Sequence, residues 1–231
     1  MKELRTKQHL IDYFEKHKRT IKKFYEIKCQ FDNAEELCKV AITGSTYRSF
    51  VRKEPKIAIG MSKIFKEVAC SNFESNPTNE SNQKLFIKSL SDKSTGLFKN
   101  LPTSEEGLPK LLKLYNLYAN YWVAYQLKGN LNFKKSNINR LKVPLDKYSL
   151  TFIRTLYNET VIGHEFHLGN DLRMGSVKSI DHYNSINNFI KELSKQISIE
   201  TKQDFFPIYL DIIQAGENNL NWYTVNIERC K

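Results

Sequence analysis

Residues 108–127 constrain the fold more than any other stretch, because their apolar side chains surround nearly the whole circumference of a helix. The large apolar members of this run are Leu111, Leu112, Leu114, Tyr115, Tyr118, Trp122, Val123 and Tyr125. A helix that is apolar on every side is normally buried within its domain. We therefore predict a central buried helix over about 108–127, with other helices packed around it.

Helical spacing of apolar residues recurs along the chain, whereas sustained strand alternation does not. It predicts helices near 3–28, 32–50, 58–69, 83–90, 144–157, 179–196 and 204–215. Nine glycines and six prolines in 231 residues are few, which favours long helices over a turn-rich sheet protein. The prediction is an all-α, compact multi-helix body formed by residues 1–231 as a single domain. Two lobes, 1–127 and 128–231, are the alternative organisation.

Two polar stretches separate the predicted helices. Residues 71–82 include Asn76 and Pro77 and are expected to form a flexible loop. Residues 128–142 are rich in asparagine and lysine, and asparagine is a poor helix former. We therefore predict that this second stretch is a basic connector.

The charge balance points to an anionic partner. Lys and Arg number 36 against 25 Asp and Glu, a net charge of +11. Such an excess suits nucleic acid, an anionic membrane surface or an acidic protein, and is also typical of a lysine-rich solvated surface. Residues 128–154 carry seven basic residues and one acid. The predicted partner is nucleic acid, with DNA expected, and the candidate phosphate contacts are Lys134, Lys135, Arg140, Lys142, Lys147 and Arg154.

The one acid in that span is Asp146, which follows Pro144 at a predicted helix start. A carboxylate in the first turn of a helix is stabilised by free N–H groups and by the helix dipole. Two interpretations stay open: a catalytic acid at the mouth of a basic cleft, or a helix cap beside solvated lysines. Trp122 and Tyr148 are the aromatic candidates for stacking on an extruded base.

Residues 143–146, Val-Pro-Leu-Asp before an amphipathic helix, resemble the segment of helix-hairpin-helix DNA glycosylases in which a Val-Pro-Val-Asp type sequence opens a helix. The resemblance covers about a dozen residues. It implies that Asp146 is the catalytic carboxylate for cleavage of an N-glycosidic bond to a damaged or modified base. The family's glycine hairpin is absent, since Ala-Tyr-Gln-Leu occupies residues 124–127. Lys128 is therefore not carried over as a nucleophile.

A second resemblance lies at His164, Phe166, Gly169 and Asn170, which match the catalytic loop of Fic-type nucleotidyl transferases. Glu165 replaces the family's proline, and the Gly-Arg pair that should follow is missing. A Fic-like transferase acting through His164 is thus one alternative function. A non-enzymatic nucleic-acid- or protein-binding module, regulatory or defence-associated, is the other.

The cysteines Cys29, Cys38, Cys70 and Cys230 have no CxxC spacing. They are expected to be reduced thiols in a cytoplasmic protein. We expect no export signal and no membrane partner, because no apolar run approaches the length of a membrane span. No metal or cofactor is expected, and the sequence leaves the oligomeric state open.

Overall fold

The computed structural model describes residues 6–26, 31–42, 55–95, 107–127, 129–159, 166–168, 172, 176–177 and 179–214. Over these ranges the protein is all-α, as predicted, with no strand. The helices are α1 (Lys7–Phe24), α2 (Ala34–Ala41), α3 (Pro55–Ser71), α4 (Glu80–Ser94), α5 (Gly107–Tyr125), α6 (Leu131–Ile138), α7 (Lys147–Glu159), α8 (Ile180–Thr201) and α9 (Tyr209–Gln214).

The central position of α5 is confirmed. It contacts α2, α4, α6 and α8, and almost all of its side chains are buried. Two of them are amides, Asn116 and Asn120, which are costly to bury without hydrogen bonds. The Oδ1 of Asn120 accepts a hydrogen bond of 2.5 Å from the Tyr25 hydroxyl, and Asn116 Nδ2 contacts the Tyr183 hydroxyl. These contacts tie α5 to α8 and to the end of α1.

A loop is present over 72–79, between α3 and α4 and within the predicted range 71–82, and it is anchored to the body. Pro77 is buried, and its carbonyl accepts a hydrogen bond from the Tyr115 hydroxyl of α5. Asn76 Nδ2 donates to Asn137 Oδ1 at 2.9 Å, and Thr78 Oγ1 donates to the same oxygen at 2.8 Å. The polar residues therefore serve hydrogen bonds within the protein as well as solvent.

The prediction of a connector at 128–142 is wrong over part of its length, because α6 forms there. The Oδ1 of Asn130 caps the helix by accepting a hydrogen bond from Phe133 N at 3.2 Å. Leu131, Lys134 and Ile138 form its buried face, at helical spacing. Of the asparagines that lowered the helix propensity of this stretch, Asn130 and Asn139 lie at the two caps, Asn132 is exposed, and Asn137 is half-buried against Asn76 and Thr78.

Helix boundaries shift elsewhere. α7 begins at Lys147 instead of residue 144 or 145, and 141–146 has no regular secondary structure. α8 continues to Thr201 and ends at Lys202, whose φ of 53° is left-handed. α9 begins at Tyr209 instead of residue 204. Parts of the predicted helices lie outside the described ranges. They include residues 44–46 of the predicted helix 32–50, and residues 215 and 216, where the predicted helix 204–215 ends.

Candidate nucleic-acid interface

Residues 141–146, which lead into α7, are held by side chains of α8. Asn187 Oδ1 accepts a hydrogen bond from Val143 N at 2.9 Å, and the Tyr183 hydroxyl donates to Val143 O at 3.1 Å. Both backbone groups of this buried residue are thereby satisfied. Lys142 Nζ donates to Asn184 Oδ1 at 3.0 Å. The start of α7 is consequently fixed relative to α8.

Asp146 is the N-cap of α7. Its Oδ1 accepts hydrogen bonds from Tyr148 N at 2.9 Å and from Ser149 N at 3.0 Å. In return, Asp146 N donates to Ser149 Oγ at 2.6 Å. This reciprocal arrangement is that of a capping box, in which the side chains of the cap residue and of the third helical residue satisfy free backbone N–H groups. One carboxylate oxygen is therefore committed to the helix start.

The other oxygen of Asp146 forms an ion pair across the protein. Its Oδ2 lies 3.2 Å from Lys113 Nζ of α5, with side-chain exposures of 16% for Lys113 and 27% for Asp146. Because the pair is shielded, it is worth more than a fully exposed one. To contact a substrate, Oδ2 would have to accept a second contact beside Lys113 Nζ, or the ion pair would have to break. The geometry is that of the cap interpretation, and the catalytic role of Asp146 stays a prediction.

Replacing Asp146 by alanine is expected to lower the free energy of unfolding by about 1–2 kcal/mol, since the cap and the ion pair are both lost. Asp146→Asn should cost less than about 1 kcal/mol, because asparagine also caps helices. Urea denaturation followed by circular dichroism measures both values. Asp92→Ala, an exposed acid within α4, is the control and should change stability by less than about 0.5 kcal/mol. An Asp146→Ala variant as stable as the wild type would remove the capping role.

The six predicted phosphate-binding cations differ in their surroundings. Lys134 is completely buried, and its Nζ donates to Ala124 O at 2.6 Å. Lys135 Nζ lies 2.6 Å from Asp204 Oδ2. Lys142 is half-buried; burial lowers the pKa of its ammonium group, and the Glu80 carboxylate opposes that shift. These three lysines are thus engaged within the protein.

The other three predicted cations, Arg140, Lys147 and Arg154, face solvent more freely. Arg140 and Lys147 are exposed and Arg154 is half-exposed. Within the described ranges, none of the three has an acidic partner within ion-pair distance. Lys147 and Arg154 are seven residues apart on α7 and so lie on the same face, about 10 Å apart along the axis. We call these three solvent-accessible cations the basic face: Lys147 and Arg154 share one side of α7, and Arg140 lies in the turn that follows α6.

The two predicted stacking residues are also separated. Trp122 is only 6% exposed, and its Nε1 donates to Phe73 O at 2.8 Å, so its ring belongs to the core. Tyr148 is 67% exposed and follows Lys147 on α7. Of the two, Tyr148 alone presents its ring to an outside partner in this conformation.

Sequence reasoning missed one exposed ring, Phe133, which is 65% exposed on α6. A connector over 128–142 has no inner and outer side, so that prediction gives Phe133 no exposed position. The signal was present in the sequence: Leu131 and Lys134 are three residues apart and Ile138 follows four later, which predicts an inner face with Phe133 outside.

The Fic-like prediction falls mostly on residues outside the described ranges, among them His164, Gly169 and Asn170. Phe166 is described and is half-buried. Its ring centroid lies 4.4 Å from that of Tyr157 and 5.4 Å from that of Phe189. Phe166 therefore anchors its segment between α7 and α8, and the role of His164 stays a prediction.

An open cavity of about 990 Å³ lies away from the basic face, between α2, α3 and α4. Four of its five charged residues are paired: Lys66 Nζ lies 3.7 Å from Glu35 Oε1, and Lys93 Nζ lies 3.3 Å from Glu67 Oε2, while Lys63 is the fifth. Neither Asp146 nor any predicted cation lines it. The cavity gives no reason to move the candidate site there.

In the described part of the chain, no cluster of three or more His, Cys, Asp or Glu side chains is placed to hold a metal ion. None of the helices described there combines the length and apolarity needed to cross a membrane. Comparisons of this chain with protein-family models, with curated proteins and with solved structures find no match.

Proposed function

We propose that this protein is a nucleic-acid-binding module that contacts the phosphate backbone through the basic face. The observation that carries the proposal is that the one acid of residues 128–154 has an ion-pair partner, whereas the cations of the basic face have none among the described residues. Asp146 is paired with Lys113, whereas Arg140, Lys147 and Arg154 have no acidic partner in the described part of the chain and so offer their charges to a ligand. A polyanion gains by binding there through the release of its counterions.

The outer side of α7 supports the same proposal. Lys147, Tyr148 and Thr151 are exposed, and Arg154 and Thr155 are half-exposed. The Thr151 and Thr155 hydroxyls donate to backbone carbonyls of α7, so the cations and the aromatic ring are the groups of this helix face that offer phosphate contacts and a surface for stacking. The capping box and the hydrogen bonds from α8 hold this helix start in place, which lowers the entropic cost of ordering it on binding.

The test is the triple variant Arg140→Gln, Lys147→Gln, Arg154→Gln, with fluorescence anisotropy of labelled single-stranded and duplex DNA. Neutralising three phosphate contacts should weaken binding at least about tenfold. It should also reduce the slope of log K against log salt by about 2–3. A matched control neutralises three exposed cations of α1, Lys16, Arg19 and Lys23.

The control variant should lose much less affinity, since its cations lie outside the basic face. Equal losses in the two triple variants would mean that net charge alone drives association and would contradict the proposed face. A wild-type protein that binds neither DNA nor RNA in a salt-dependent way would contradict the function. Binding of acidic proteins or anionic vesicles to the basic face, in place of nucleic acid, would also contradict the function.

Glycosylase activity stays a prediction, and it is tested on DNA in the same series of experiments. Duplexes that contain deaminated, alkylated or oxidised bases are incubated with the wild type and with Asp146→Asn, and release of free base is measured. Base release by the wild type that is lost in Asp146→Asn would support catalysis by this carboxylate. DNA that both proteins bind and leave intact favours the non-enzymatic module.

A further inference from the structure

The outer face of α6 presents an aromatic ring among amides and a cation. Its exposed residues are Asn132, Phe133 and Ser136, and the exposed Asn139 and Arg140 follow in the turn after the helix ends at Ile138. Arg140 N donates to Asn137 O at 3.1 Å, so Arg140 continues directly from the last helical turn. We call these five residues the Phe133 face, and none of the five is an acid.

The Phe133 ring is supported from beneath. Gly129 has a φ of 120°, which favours glycine, and a Cβ built there would lie 3.0 Å from Phe133 Cδ1. The ring therefore covers the Gly129 backbone while 65% of the residue stays exposed. Asn130 also caps α6 through Phe133 N at 3.2 Å. An exposed ring held in this way loses little rotamer freedom when a ligand stacks on it.

We propose that the Phe133 face binds single-stranded nucleic acid, with an unpaired base stacked on Phe133 and a phosphate on Arg140. Aromatic stacking tolerates every base, because each base has a π-face. In a duplex the bases already stack on one another, so an intact duplex offers Phe133 no free base face. The inference rests on the proposed function and specifies the form of nucleic acid.

Neighbouring side chains favour nucleic acid over a protein partner. The exposed neighbours of Phe133 are the polar Asn132 and Ser136 on α6, followed in the turn after the helix by the polar Asn139 and the charged Arg140. The core of a protein interface is usually poor in charged groups and richer in apolar ones. Amides and hydroxyl groups instead suit the edges of unpaired bases. The net charge of +11 also favours an anionic partner.

The experiment measures binding of the full chain to a short mixed-sequence single strand and to a duplex of the same sequence. Phe133→Leu keeps an apolar side chain but removes the aromatic face, and should weaken single-strand binding at least about fivefold. Duplex binding should change less than about twofold. Phe133→Tyr should bind the single strand like the wild type. Leu85→Ala, an exposed apolar residue on α4, is the control and should leave both affinities unchanged.

The outcomes separate the two proposals. If the wild type shows no salt-dependent binding to either nucleic acid, the proposed function fails, and this inference fails with it. If the wild type binds and Phe133→Leu weakens single-strand and duplex binding equally, or neither, the inference alone is overturned. A wild-type dimer in sedimentation that Phe133→Leu dissociates would also overturn it, because the ring would then bind a second copy of the chain.

Discussion

Trp122→Ala is expected to lower the free energy of unfolding by about 3–5 kcal/mol, the usual cost of deleting a large buried aromatic side chain. Trp122 is 6% exposed on the central helix, and its Nε1 donates to Phe73 O at 2.8 Å. Alanine removes the ring, leaves a cavity beside α5 and leaves the Phe73 carbonyl without this donor. Equilibrium urea unfolding measures the loss.

Trp122→Phe separates packing from hydrogen bonding. Phenylalanine keeps most of the apolar volume but cannot donate to Phe73, so the expected cost is about 1–2 kcal/mol. Tyr148→Ala is the exposed comparison and should change stability by less than about 0.5 kcal/mol. Near-equal costs for Trp122→Ala and Tyr148→Ala would contradict a core role for Trp122 and would restore it as a stacking candidate.

Lys134 is expected to contribute an increase in the stability of the protein between about pH 8 and pH 10. Burial lowers the pKa of this lysine from 10.5 to about 8, and the Glu26 carboxylate opposes the shift. Between those two values the folded protein has released a proton that the unfolded chain still holds. Unfolding then takes up a proton, so raising the pH favours the folded state.

The size of this effect follows from the pKa difference. A shift of about two units or more corresponds to roughly 3 kcal/mol, gained progressively above pH 8. Above about pH 10, ionisation of tyrosines in the unfolded chain acts in the opposite direction, because burial raises the pKa of Tyr115 and Tyr183 in the folded state. Two other groups act near this window: burial also lowers the pKa of Lys142, which works in the same direction as Lys134, and raises the pKa of Cys38 from 9.0 to about 12, which works against it. These groups and the tyrosines are common to the wild type and a Lys134 variant, so the comparison of the two isolates Lys134.

Lys134→Met is the variant that tests this prediction. It removes the titrating group, so the difference in unfolding free energy between variant and wild type should favour the variant most at pH 7 and shrink towards pH 10. The tyrosines are common to both proteins and cancel in that difference. Lys135→Met, next in the chain and paired with Asp204, should follow the wild-type pH profile. Parallel profiles for wild type and Lys134→Met would contradict the prediction.

The buried position of Lys134 could not be predicted from its residue type. Its ammonium contacts Ala124 O in the last turn of α5, where a cation compensates carbonyl groups left free at a helix end. The sequence marked it as a phosphate contact because lysines are usually exposed. Its position between Leu131 and Ile138 on the inner stripe of α6 argued for burial, but only if a helix was recognised there.

The amino-acid sequence by itself determined the all-α class and the buried central helix, because both follow from local periodicity of apolar residues. It also placed Asp146 at a helix start, since proline and acid act within one turn. Only the tertiary structure decided that Lys113, 33 residues away, takes the second oxygen of Asp146. It likewise decided that Asn187 holds Val143 and that Trp122 turns inward. Such pairings depend on how helices dock, and spacing along the chain does not encode which distant side chains meet.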